Sequence, residues 1–282
     1  MAYDDVSDLP HRWYATNLVG VPARALASTD FNAHPTALAI AGTYEAHTGL
    51  FQLLDSSRDL NEAHDMFVHY LTLAFGLRKP EAHEAQAMGA AEQRRWRSSW
   101  RKLLQGWGMD SNGPAGAVLK GWVESRFGLV PSYHKQPLLR FPSPAWVAYL
   151  QEKAASRYNN NNIHQQLDLL YSYCQWALRR IQLQTGNHAQ HLRLWRGSNQ
   201  CEEQVVAGRL QNRRCTVRLN NLVSFSLSQE DASCFGDWVL EVQVPLVKVL
   251  VFPELLPGQV LQGEQEVLAL GGDYEVEIRY DR

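Results

Sequence analysis

The sequence predicts an α+β fold: a mainly helical region over residues 1–187, docked on a strand-rich core over residues 188–282. Three observations predict it. Apolar residues recur at three- and four-residue spacing through most of the first two thirds. Near residue 190 the apolar period changes to two, and β-branched residues become frequent. Glycine and proline then punctuate the short apolar runs. Helices first and strands later is the pattern of an α+β architecture. The two regions are expected to form one continuous domain, since docking helices on the sheet is the economical way to bury both.

The elements follow in order. Thr36 to Leu54, after Pro35, is rich in Ala, Leu and Ile and is expected to be helical. A second helix is expected from Leu60 to Phe75, stopping near Gly76. A third spans Glu84 to Gln105, with Trp96, Trp100, Leu103, Leu104 and Trp107 on one face. Arg94, Arg95, Arg97, Arg101 and Lys102 surround that face. It is read as core packing with solvated arginines; partner docking is the alternative, because Trp and Arg dominate interface hot spots. Ala115 to Phe127, Pro144 to Tyr158 and Ile163 to Gln184 complete the helices, with Gly128 and Gly186 as stops. The run Asn159 to Asn162 marks a joint, since asparagine favours turns and helix N-caps. Strands are expected at 192–196, 239–244, 247–252, 266–270 and 274–280, the last two separated by Gly271-Gly272.

Composition bounds the function. The 282 residues carry a net charge of -2, with 45% hydrophobic and 20% charged residues. That suits a packed globular core and argues against a general nucleic-acid binder, which needs a basic face. The acidic start, Met1 to Asp5, lacks the apolar run of an export signal. No stretch approaches the roughly 20 apolar residues of a membrane span. The four cysteines form no C-x-x-C pair and are expected as reduced thiols. A cytoplasmic protein is expected, with no tight His/Cys ligand cluster for a metal.

Three short segments of the strand-rich part carry candidate chemistry. Trp195-Arg196-Gly197 ends a strand. Arginine offers a planar fork of donors for a pyrophosphate, and the neighbouring glycine allows close backbone approach. Ser224-Phe225-Ser226-Leu227-Ser228 places alternate serines on one strand face, which faces either water or a cleft. Glu264-Gln265-Glu266 opens a strand and is expected to project two carboxylates from one face. A polar edge strand is the plain reading of that pair. A carboxylate pair in a cleft is the functional one, since like charges so close require compensation.

Taken together, the order Arg, Ser, Glu-x-Glu resembles the R-S-E class of arginine-specific mono-ADP-ribosyltransferases. The whole chain is similar to the dinitrogenase reductase ADP-ribosyltransferases of nitrogen-fixing bacteria. Residues 13–20, 28–32, 191–197 and 264–272 carry that closer likeness. The resemblance implies NAD as co-substrate, with Arg196 clamping its phosphate and Gly197 offering backbone contacts. It gives Ser224 the task of holding the catalytic glutamate, Glu266, with Ser226 also in the NAD site. Glu264 would orient the acceptor guanidinium. Asn221 matches a position touching the adenosine half, and Phe235 an aromatic that packs on nicotinamide. The class usually shows Ser-Thr-Ser, whereas this chain has phenylalanine in the middle. The loop Leu256-Pro257-Gly258-Gln259 would meet the target protein. The implied partners are dinitrogenase reductase as acceptor and a PII nitrogen-signalling protein as regulator.

The residue types suit that chemistry. Leaving nicotinamide creates an oxocarbenium-like sugar, and a fixed carboxylate stabilises a charge that develops only in the transition state. Nicotinamide leaves neutral, so no strong general acid is needed. The acceptor guanidinium stays protonated and needs a carboxylate to orient it. A glycosidase would place its carboxyls across a sugar, about 5 to 10 Å apart, which a side-by-side pair fits poorly. An NAD glycohydrolase, transfer to another protein's arginine and a non-catalytic NAD-binding module remain open.

Overall fold

The computed structural model describes residues 17–78, 89, 93, 95–96, 98–186, 188–199, 201–255, 261 and 265–279. Helices occupy the first part of the chain and an antiparallel sheet the second. Two short helices come first, α1 (Ala23–Leu26) and α2 (Thr29–Ala33), and Ser28 caps the second by accepting the Phe31 N–H. The helix expected from Thr36 to Leu54 is instead a loop followed by α3 (Thr43–Ala46) and α4 (Thr48–Asp55). The left-handed Gly42, at φ +82°, cannot continue a right-handed helix. Helix α5 (Leu60–Phe75) is capped by Asp59 and stopped by the left-handed Gly76, as its sequence requires.

The expected tryptophan helix is broken at Ser99: residues 93, 95 and 96 are helical, and a new helix follows. Residues 84–88, 90–92, 94 and 97 lie outside the described residues, and α6 (Trp100–Met109) starts afresh at an extended Ser99 that caps it. Trp100, Leu103, Leu104 and Trp107 are buried, in line with core packing. Helix α7 (Pro114–Phe127) ends at the left-handed Gly128. A small hairpin, β1 (Tyr133–His134) with β2 (Gln136–Pro137), follows and is too short to show a period. Helix α8 (Pro144–Ala155) stops three residues before Tyr158 because Ser156 is extended. In the asparagine run, Asn160 accepts the Ile163 N–H and caps α9 (Asn161–Thr185), which Gly186 ends.

The main sheet contains β3 (His191–Ser198), β4 (Val205–Gly208), β5 (Arg214–Ser226), β6 (Trp238–Pro245), β7 (Val249–Val251) and β8 (Glu266–Arg279), in the order β4-β5-β3-β6-β8-β7. Strand β5 also pairs with β8 from Arg214↔Glu277 to Ser226↔Glu266. The pairings β5–β8, β8–β6, β6–β3 and β3–β5 close a ring, and the last of them is a single contact, Trp195↔Ser226. The sheet therefore curls until the end of β3 meets the end of β5. The two strands expected on either side of Gly271-Gly272 are one continuous strand. A Cβ on Gly271 would lie 1.5 Å from the Asn220 carbonyl, and one on Gly272 would lie 2.6 Å from the Ala27 carbonyl. The glycine pair marks a bulge and a close backbone approach rather than a turn.

Helices and sheet share a hydrophobic cluster running from Leu26 and Phe67 through Trp107 and Leu170 to Phe225 and Leu268. Polar contacts bolt the layers together. Tyr171 and Gln175 of α9 donate to the carbonyls of Val247, Leu246 and Val249 beside β7. Arg126 makes a bidentate pair with Asp168 at 2.8 and 2.9 Å, tying α7 to α9, and Trp122 donates to the same carboxylate. The segment around α2 braces β8 at its bulge: Asn32 donates to the Asp273 carbonyl, and the Asp273 N–H donates to Ala27.

Lys248 sits fully buried in this joint, with its ammonium 5.4 Å from the Phe31 ring centroid and 5.0 Å from that of Tyr274. Burial lowers its pKa from the ordinary 10.5 to about 7, with Asp273 opposing the shift. Between those values the unfolded chain binds the extra proton, so this lysine's penalty fades as pH rises. Replacing Lys248 with Met is expected to raise the melting temperature at pH 7. The gain should shrink steadily toward pH 10, as read by thermal denaturation across that range.

Candidate functional site

The curl of the sheet assembles the residues singled out above. Arg196 lies near the end of β3, Ser224 and Ser226 at the end of β5, and Glu266 is the first residue of β8. Ser226 pairs opposite Glu266 and Ser224 opposite Leu268, so the two serines and the glutamate share a face. Phe225 points to the other face, is 3% exposed, and meets Tyr274 edge-on at 6.1 Å. The phenylalanine between the serines therefore packs the core and does not enter the polar face. Ser228 is no part of that row, because β5 ends at Ser226. Instead, Ser228 caps the short helix α10 (Gln229–Ser233) by accepting the Asp231 N–H.

Ser224 is the hub of the hydrogen bonds. Its hydroxyl donates to Glu266 Oε1 at 2.5 Å, and its carbonyl accepts from Arg196 Nη1 at 2.8 Å. The same hydroxyl accepts the indole N–H of Trp107 at 3.0 Å. Trp107 is the site neighbour that the sequence placed in core packing, with partner docking as the alternative. Its one available signal is chemical, since a buried indole N–H seeks an acceptor. Arg196 Nε is buried with no hydrogen-bonding partner among the described residues. Burial lowers the Arg196 pKa, and the Glu266 carboxylate pushes it back up. The guanidinium stays charged all the same. Ser226 Oγ accepts the Ser228 N–H, fixing the turn out of β5.

The remaining candidates are placed as follows. A Cβ on Gly197 would lie 2.1 Å from the Ala232 carbonyl, so the missing side chain lets the turn after α10 press on β3. That turn carries Phe235, which is 70% exposed. Asn221 lies buried at the β5 bulge, and its amide nitrogen donates to the carbonyls of Lys120 and Leu129. Its Oδ1 has no hydrogen-bonding partner among the described residues. Glu264 and residues 256–260 lie outside the described residues. Gln265 is left-handed at φ +63°, and β8 starts at Glu266.

A family model for dinitrogenase reductase ADP-ribosyltransferase (DRAT) matches residues 16–278. The chain belongs to this family. It is also similar to the NAD(+)--dinitrogen-reductase ADP-D-ribosyltransferase of Rhodospirillum rubrum, with 45% identity over 273 residues, covering 97% of this chain and 98% of that protein. No solved structure matches the chain. As a DRAT family member the chain is a transferase whose co-substrate is NAD. No group of three or more His, Cys, Asp or Glu side chains able to hold a metal occurs among the described residues. No helix among them is long and apolar enough to cross a membrane. In this DRAT chain the core-facing position of Phe225 makes a specific prediction. Phe225→Thr, which creates Ser-Thr-Ser, should destabilise the fold by about 3 kcal/mol. Nicotinamide release per folded molecule should stay close to the parent's, with denaturant melts and initial rates as the two readouts.

Proposed function

We propose that this chain transfers ADP-ribose from NAD to an arginine of dinitrogenase reductase, with Glu266 as the catalytic carboxylate. The observation that carries the reading is the Ser224–Glu266 hydrogen bond beside the Arg196 guanidinium, at the closure of the curled sheet. A carboxylate held from one side by a hydroxyl keeps its other oxygen for the ribose, and does not reorganise as positive charge develops there. The Arg196 guanidinium supplies donors for the pyrophosphate, so that the dinucleotide is held while the sugar reacts. Ser224 positions Glu266, and Ser226 shapes the same wall. Gly197 and the turn bearing Phe235 form the nicotinamide side, and Asn221 lies on the adenosine side. Glu264 receives the acceptor guanidinium in a bidentate contact. The helical and strand-rich regions act as one catalytic domain in the cytoplasm, under a PII-class regulator.

The substrate name of the Rhodospirillum rubrum relative supports dinitrogenase reductase as the acceptor. The intact Arg, Ser and Glu positions support chemistry over mere NAD binding. Glu266→Gln is expected to abolish both NAD hydrolysis and protein modification while leaving the melting temperature within a few degrees. Retained transfer in that variant would remove the central assignment. Glu264→Gln should lose protein modification far more than hydrolysis, and equal loss of both would end the division of roles. Mass spectrometry of dinitrogenase reductase incubated with NAD should find one arginine carrying ADP-ribose. An unmodified protein would confine the reading to the general class of transferases.

A further inference from the structure

We infer that Trp107 is a positioning residue for Glu266: its indole N–H sets the direction of the Ser224 hydroxyl proton and so holds that proton on the carboxylate. This rests on the reading of Glu266 as the catalytic group. A serine hydroxyl has one proton and rotates freely unless its lone pairs are engaged. The tryptophan N–H is donor only, so the 3.0 Å contact from Trp107 Nε1 occupies Ser224 Oγ as an acceptor. The single hydroxyl proton is then directed to Glu266 Oε1, 2.5 Å away. Arg196 holds the carbonyl of the same serine, so Ser224 is fixed at both ends.

The indole is itself held from the helical half. Trp107 is buried on α6 beside Leu103 and Leu104. The Lys120 ammonium of α7 lies 6.0 Å from its ring centroid. Lys120 is anchored in turn by Asn112 Oδ1, the Tyr133 carbonyl and His134 Nδ1. The orientation of the catalytic carboxylate thus depends on a side chain over a hundred residues away in sequence. The opposing reading is that Trp107 merely fills the core and its N–H takes a convenient acceptor.

Steady-state nicotinamide release separates the two. Trp107→Phe should lower kcat roughly tenfold, the scale of one hydrogen bond, with KM for NAD nearly unchanged. Replacement of Trp107 by 3-benzothienylalanine keeps the shape and exchanges the N–H for sulfur. It should show the same loss of kcat with a near-parental melting temperature, and it decides the matter should the phenylalanine variant fold poorly. In a Ser224→Ala background, Trp107→Phe should change kcat by less than about twofold, because its effect runs through the hydroxyl. An unchanged kcat in the isosteric protein, or a full additional loss on the Ser224→Ala background, would overturn the inference. Glu266→Gln serves as the separate control: activity there would defeat the assignment of Glu266, whereas an inactive Glu266→Gln leaves the Trp107 variants as the test of this inference alone.

Discussion

The hydroxyl of Ser224 is the point on which the arrangement of the site depends. It joins Trp107 of the helical half to Glu266 at the start of β8, while the Ser224 carbonyl takes the Arg196 guanidinium of β3. Three parts of the chain converge on one residue, and none is its sequence neighbour. A buried polar group must find partners, and here each one satisfies another. The side chains that would clamp the dinucleotide and stabilise the sugar are therefore set before any ligand arrives. Such preorganisation is what makes a fixed carboxylate effective, because nothing has to turn as charge develops.

The helical region is part of that construction. Helix α9 donates to carbonyls flanking β7, α7 is tied to α9 through Arg126 and Asp168, and the residues around α2 brace the glycine bulge of β8. A continuous apolar cluster runs from these helices into the sheet. Lys248 is buried at this joint near two aromatic rings, with no hydrogen-bonding partner for its nitrogen among the described residues. The interior supports a charge-averse environment next to the long strand that presents Glu266.

Much of the architecture is legible locally. Helix stops at Gly76, Gly128 and Gly186 need a left-handed residue, and glycine supplies it at no steric penalty. Asp59 and Asn160 announce helix starts by the same local chemistry. Errors arose where a long-range contact sets the backbone. Gly271-Gly272 reads as a turn, yet the strand runs through it because other backbones press on both residues. Alternation implied a row of three serines, but the third leaves the strand to cap a helix. The pairing of Glu264 with Glu266 rested on strand periodicity; Glu264 lies outside the described residues, and β8 begins at Glu266 after a left-handed Gln265.

Residue type and spacing determined the α+β class, the order of helices and strands, and three candidate segments. These follow from periodicity and side-chain chemistry, which are local properties. Which arginine, serine and glutamate to bring together came from the resemblance to the R-S-E class. The tertiary structure alone decided that those three positions meet, through a ring of strands closed by the single pairing Trp195↔Ser226. It also decided that Phe225 turns inward, that Gly197 makes room for a neighbouring turn, and that an indole from a distant helix completes the hydrogen bonds of Ser224. Contacts between residues far apart in the chain depend on strand register and helix docking, and neither is encoded in the spacing of any one segment.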